Sequence, residues 1–212
     1  MHTKNVITRG TPVAKGVKVL IMLHGRGANA EDILSLSRYL DVAQFALIAP
    51  QATGNTWYPY SFLAPQSANE PWLSSAIDLL KDVVSDLEQA GVVSEDIYLL
   101  GFSQGACLTL EYSARHARRY GGIVAFTGGL IGDKLITSNY SGDFANTPIF
   151  IGSSNPDPHV PVDRVEQSVE ELKKLNAKVS YRIYNGMGHT INEDEIRMAN
   201  AHVFVQSQHT TG

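Results

Sequence analysis

Short apolar runs that end at glycine or proline recur along this chain, and helical patterns separate them. Val17–Leu23 leads into His24-Gly25, Phe45–Ala49 into Pro50, and Ile97–Leu100 into Gly101. Gly122–Phe126 leads into Thr127-Gly128-Gly129, Pro148–Ile151 into Gly152, and Val179–Tyr184 into Asn185-Gly186. Near-continuous apolar runs of this length mark parallel strands covered on both faces. Between them, Ile77, Leu80, Val83, Val84 and Leu87 recur at helical spacing and stop near Gly91. Val165, Val169, Leu172 and Leu175 form a second stripe. A last helix opens at Asn192, with Glu195 placed to close a capping box. Alternating β and α elements predict an α/β fold, a mostly parallel central sheet with helices on both faces. In such sheets chemistry sits at the carboxyl ends of the strands.

At 212 residues the chain suits one domain, expected to span 1–212. The exception to the rhythm is 53–71, rich in Pro, Asn, Ser and aromatics and without a period; it reads as a lid-like loop. A net charge of −4 and a pI near 5.9 argue against a nucleic-acid partner. One cysteine, Cys107, excludes an internal disulfide framework and a multi-cysteine zinc site. No secretory signal is visible and no run approaches the ~20 apolar residues that span a bilayer, so the expectation is a cytoplasmic chain without stable membrane insertion.

Gly101-Phe102-Ser103-Gln104-Gly105 matches G-x-S-x-G. Average glycine and serine usage gives on the order of 0.1 chance matches in such a chain. The motif directly follows an apolar run and precedes a helical stretch, Ala106 to Ala114. Strand, sharp turn and helix are the setting of a nucleophile elbow, where Ser103 projects from the top of the sheet. Gly101 and Gly105 avoid collision inside the turn, and the helix N-terminus favours negative charge. Cys107, inside the helix, reads as a small core residue.

A serine hydroxyl needs a base, and the base needs an orienting acid. Of seven histidines, His2 and His209 lie near the termini, His24 and His116 fall in the wrong places, and His202 lies in the last helix. His189, in Asn185-Gly186-Met187-Gly188-His189, leaves the final strand and is the expected base. Asp157, between Pro156 and Pro158 after the preceding strand, is the expected acid; Asp163 is its rival, and His159 a residue of the same loop. The expected oxyanion donors are the backbone amides of Gln104 and of Arg26, the latter in Leu23-His24-Gly25-Arg26-Gly27. His24 then holds that loop.

With these pieces, the chain resembles the phospholipase/carboxylesterase family of α/β-hydrolases, which also holds the acyl-protein thioesterases. Leu23-His24-Gly25-x-Gly27, Gly101-Phe102-Ser103-Gln104-Gly105-Ala106, Asp157 with Val160-Pro161, and Gly188-His189 carry the likeness, from Val17 to about Val205. It implies the α/β-hydrolase fold, a serine carboxylesterase acting on small esters through an acyl-enzyme, and no metal or organic cofactor. Two departures stand out. Arg26 replaces a frequent leucine, which puts a guanidinium at the mouth, and Pro59 follows Trp57-Tyr58 where an acidic residue is frequent. Trp57, Tyr58, Phe62, Leu63, Leu130 and Ile131 are the expected apolar substrate lining.

The expected partner is a small-molecule ester, with a homodimer left open. Acyl thioesterase or lysophospholipase-type hydrolysis by the same residues is the alternative. A non-catalytic ligand-binding protein on this fold is a further reading that an intact Ser-Asp-His set disfavours.

Overall fold

The computed structural model describes residues 1–205; His209 lies outside them. Among these residues seven strands form one sheet: β1 (Val6–Gly10), β2 (Val19–Leu23), β3 (Ala46–Pro50), β4 (Ile97–Phe102), β5 (Gly122–Phe126), β6 (Pro148–Asn155) and β7 (Lys178–Asn185). Their spatial order is β1-β3-β2-β4-β5-β6-β7. β1 runs antiparallel to β3, and every other neighbour is parallel. The apolar runs of the sequence all become strands. The added strand, β1, is a half-exposed edge with the sequence VITRG, so no apolar run announces it.

Among the described residues five α-helices cover the sheet: α1 (Ala30–Ser35), α2 (Trp72–Gln89), α3 (Gln104–Arg115), α4 (Val162–Lys174) and α5 (Glu193–His202). Strand side chains alternate between two cores. Val19, Ile21, Leu23, Leu99, Ile123 and Ile151 face the core shared with α2, α3 and α4. Leu20, Met22, Leu100, Val124, Phe126 and Phe150 face the core shared with α1 and α5. Burial on both faces is why the central strands carry no polar alternation. Helix ends follow the expected chemistry. Gly91, at φ 88°, follows the end of α2. Asn192 and Glu195 close the capping box that opens α5. No helix among the described residues is long and apolar enough to cross a membrane.

Segment 53–71 is fastened to the body rather than splayed from it. His2 donates from Nε2 to the Trp57 carbonyl (2.9 Å), while its Nδ1 accepts from the Thr53 amide (3.1 Å). Within the segment, Asn69 accepts from the Tyr60 amide (2.8 Å) and donates to the Ser61 carbonyl (3.0 Å). Further along, buried Glu111 accepts from the Ile131 amide (3.0 Å) and pairs with Arg115 (2.8 Å). Arg164 donates to the carbonyls of Leu130 and Gly132. These bonds satisfy the backbone after β5 and draw its side chains into the core.

Glu195 is a buried carboxyl that the cap of α5 satisfies on one oxygen only. It is wholly buried, and its Oε1 has no hydrogen-bond partner among the described residues. Oε2 accepts from the Asn192 amide at 2.9 Å. Burial pushes its carboxyl from 4.5 up to about 7, against the opposing pull of that amide. Between those two values the folded chain holds a proton that the unfolded chain has released, so stability falls as pH rises through that window. Glu195→Gln keeps the cap and removes the titration. Its Tm relative to the parent should therefore climb from pH 5 to pH 8; a difference that stays flat across thermal melts at these pH values would refute the burial effect.

Candidate active site

Ser103 sits between β4 and α3 at φ 54° and ψ −117°, a conformation that costs about 1–3 kcal/mol for a non-glycine residue. The glycines around it have no room for a side chain. A Cβ on Gly101 would lie 2.3 Å from the Gly105 carbonyl oxygen, and one on Gly105 would lie 2.2 Å from the Leu23 carbonyl oxygen. The turn is thus closed backbone against backbone, with the start of α3 pressed onto the end of β2. Two tethers fix it: the Ser103 amide donates to Phe126 O (3.0 Å), and the Cys107 amide donates to Ser103 O (3.0 Å).

His189 enters from the loop after β7, where Gly186 (φ 69°) and Gly188 (φ 78°) take left-handed conformations. Ser103 Oγ lies 2.7 Å from His189 Nε2, and His189 Nδ1 lies 2.9 Å from Asp157 Oδ2. A carboxylate accepts only, so Nδ1 carries the proton and Nε2 is left to accept from the serine hydroxyl. The imidazole lies between the Phe102 ring (centroids 5.5 Å apart) and the His159 ring (4.9 Å, edge-on). Asp157 Oδ1 accepts from the amides of His159 (2.7 Å) and Val160 (2.9 Å). Burial opposes its charge, yet those amides and the imidazole prevail and hold its pKa below the usual carboxylate value. Asp163, the rival acid, sits in the first turn of α4.

A residue that sequence reading passes over joins these two loops. Ser154 Oγ accepts from the Gly188 amide at 2.9 Å, which ties the His189 loop to the end of β6. Only the pairing of β6 with β7, Ser154 opposite Tyr184, brings it there.

The loop after β2 packs beside the elbow, since a Cβ on Gly25 would meet Ser103 Cβ at 3.5 Å. His24 holds this loop. Its Nδ1 donates to Gly25 O (2.8 Å), its Nε2 accepts from the Ala52 amide (3.1 Å), and its carbonyl accepts from Trp57 Nε1 (2.8 Å). Burial lowers its pKa, which keeps the ring neutral and both bonds intact. The amides of Arg26 and Gln104 make no hydrogen bond to other described residues.

The side chains of these two residues do something the sequence did not announce. The Arg26 guanidinium donates to Thr56 Oγ1 (3.0 Å) and to the carbonyls of Pro59 (2.9 Å), Tyr58 (2.9 Å) and Tyr60 (2.8 Å). Gln104 accepts from the Trp57 amide (2.9 Å) and donates to Tyr58 O (2.8 Å). Arg26 is exposed and lines the cleft, so the guanidinium does stand at the mouth, with its terminal nitrogens bonded to the loop.

A cleft of about 580 Å³ opens over Ser103 and His189, and Tyr58 and Phe62 belong to its walls. Pro59, Tyr60, Cys107, His159 and Val160 also line it. Trp57, Leu130 and Ile131, expected on the wall, are 0% exposed and lie in the core behind it. Trp57 is turned inward by its bond to His24, and the residues after β5 by Glu111 and Arg164. Leu63, also expected there, packs half-buried against the same core.

Comparison with known proteins agrees with this architecture. The model of the phospholipase/carboxylesterase family matches residues 4–207. The chain belongs to that family. A crystal structure of a phospholipase/carboxylesterase from Dyadobacter fermentans is 54% identical, with 96% of this chain and 98% of that one covered at a TM-score of 0.95. A probable carboxylesterase, SOBER1-like, of Arabidopsis thaliana is 26% identical over 84% of this chain and 74% of its own length. Acyl-protein thioesterase 1 of Saccharomyces cerevisiae is 27% identical over 84% of this chain and 88% of its own. The fold is accordingly the α/β-hydrolase fold. Within it, the phospholipase/carboxylesterase chain described here fastens its aromatic segment through Arg26, the position where the sequence departs from the frequent leucine.

Arg26→Met leaves the backbone amide in place and removes the clamp. Hydrogen exchange at the Trp57 and Tyr60 amides should accelerate about tenfold, with the α3 amides unchanged, because charged hydrogen bonds are worth about 1.5–3 kcal/mol before solvent screening. Unaltered exchange at both amides would show that the segment holds without the guanidinium.

Proposed function

We propose that this protein is a serine esterase that hydrolyses small carboxylic esters through an acyl-enzyme on Ser103. The observation that carries the reading is the unbroken hydrogen-bonded series from Ser103 Oγ through His189 to Asp157, 2.7 and 2.9 Å, at the carboxyl ends of the strands. Ser103 Oγ attacks the ester carbonyl while His189 Nε2 takes its proton. Asp157 keeps the imidazole in the useful tautomer and stabilises the imidazolium. The developing alkoxide takes hydrogen bonds from the Arg26 and Gln104 amides, each donor worth about 3–4 kcal/mol in the transition state. Nε2 then protonates the leaving alcohol. A water, activated by the same nitrogen, cleaves the acyl-enzyme and restores the serine.

Segment 53–71 serves in this scheme as a fastened wall rather than a moving flap, given its bonds to His2, Arg26 and Gln104. Thioester hydrolysis is the second reading. It is favoured by the likeness to a protein named acyl-protein thioesterase 1 and by a site whose expected polar contacts go to the acyl carbonyl. An ester and a thioester of one acyl group separate the two by kcat/KM.

Ser103→Ala should reduce turnover of p-nitrophenyl butyrate by at least about 10³-fold and abolish labelling by a fluorophosphonate probe. Retention of wild-type kcat would overturn the assignment. Asp157→Asn should keep substrate binding and lower kcat by about 10³ to 10⁴, since the amide would hold the imidazole in the wrong tautomer. A parental kcat for this variant would remove Asp157 from the scheme.

A further inference from the structure

Among the residues that line the cleft, Tyr58 carries a polar atom that ester hydrolysis does not use. Tyr58 lines the cleft yet is only 1% exposed, and its hydroxyl has no hydrogen-bond partner among the described residues. A buried hydroxyl without a partner is uncommon and calls for an explanation. Its polar neighbour is the Cys107 thiol, which burial pushes up to about 12 and so keeps un-ionised. A thiol is a weak partner in either direction. The backbone of Tyr58 is held by bonds to its carbonyl from Arg26 (2.9 Å), Gln104 (2.8 Å) and Thr56 (3.1 Å), and its ring is packed in the core. The hydroxyl is therefore a fixed donor rather than a side chain free to swing into solvent.

The sheet order says which half of a substrate meets it. Ser103 stands at the end of β4; Arg26 follows β2 on one side, while Asp157 and His189 follow β6 and β7 on the other. The leaving alcohol must reach His189 Nε2 and lies on the β6–β7 side. The acyl group is left on the side of Arg26, whose guanidinium holds the Tyr58 carbonyl at 2.9 Å. Cys107 follows Ser103 by one turn of α3, an advance of about 5.4 Å along the helix axis. An acyl chain that runs beside α3 would bring its third or fourth atom beyond the carbonyl carbon level with Cys107, the neighbour of the Tyr58 hydroxyl.

We propose that Tyr58 Oη determines acyl specificity by donating a hydrogen bond to an oxygen three or four atoms beyond the carbonyl carbon. The favoured substrates are then esters of short oxygen-bearing acids, such as oxo- or alkoxy-acyl groups, over plain hydrocarbon acyl groups of equal length. The inference rests on the ester-hydrolysis reading above. It goes further by naming the acyl class, and nothing in the chemistry of the acyl-enzyme changes.

The test uses p-nitrophenyl 3-methoxypropionate against p-nitrophenyl valerate, which differ by one oxygen for one methylene. Each kcat/KM is divided by the ester's alkaline hydrolysis rate, which cancels intrinsic reactivity. The wild-type protein should favour the ether substrate at least fivefold, and Tyr58→Phe should bring that ratio down toward one. An equal or reversed preference in the wild type overturns the inference without recourse to any variant, so it stays testable if Tyr58→Phe fails to fold. A ratio that Tyr58→Phe leaves unmoved also overturns it, while normal valerate turnover keeps the esterase reading standing. A preference that appears only when the oxygen is placed in the alcohol overturns it too, because the hydroxyl would then face the leaving group. Turnover of neither ester by the wild type would sink the esterase reading and this inference together.

Discussion

Everything at the cleft depends on one close approach of backbone to backbone. The start of α3 lies against the end of β2 with no space for even a methyl group at Gly105, and the elbow folds on itself with none at Gly101. That contact puts Ser103 in a left-handed conformation it would not adopt alone. It also puts the loop after β2 beside the serine. The strain is held by the sheet: Ser103 N bonds to the end of β5, and both cores press on β4 from opposite faces. A local penalty of about 1–3 kcal/mol is small against burial of that extent.

From that contact follows a double use of two residues. Arg26 and Gln104 each keep a backbone amide that bonds to no other described residue, the two donors proposed above for the developing negative charge. Each also sends its side chain to the backbone around Tyr58. The proposed oxyanion donors and the cleft wall are therefore parts of one hydrogen-bonded body. A shift of the aromatic segment would pull on the residues whose amides must stay aimed, so its anchoring contributes to preorganisation as well as to shape. The three hydrogen bonds on the Tyr58 carbonyl are the knot of this body.

Legibility in the sequence followed the range of the interactions. The central strands were readable because burial on both faces leaves an uninterrupted apolar run. The edge strand β1 was not, because it is half exposed and pairs on one side only. Ser103, Asp157 and His189 could be picked out one loop at a time, since each follows its own strand and the parallel sheet brings those ends together. The pocket wall had no such local signal. Trp57 and Tyr58 are adjacent aromatics, both buried, yet one bonds to His24 and packs in the core while the other lines the cleft. What separates them is a set of contacts from residues 24, 26 and 104, distant along the chain. Ser154 escaped for the same reason, as its partner Gly188 reaches it only through the β6–β7 pairing.

The same helix also shows why residue type alone does not decide which group reacts. Cys107 carries the intrinsically stronger nucleophile of the pair and lies one turn from Ser103, on the floor of the same cleft. Its burial drives the thiol up to about 12, so the thiolate needed for attack is absent at neutral pH. Among the described residues no imidazole is hydrogen-bonded to it. Ser103 is the weaker nucleophile by nature, but it has His189 within 2.7 Å and a carboxylate behind that ring whose charge is secured by two amides. Placement of the base and burial of the thiol thus reverse the ranking that free amino acids would give. The helix can then keep a sulfur in its apolar floor as packing beside Tyr58 without offering a second reactive site.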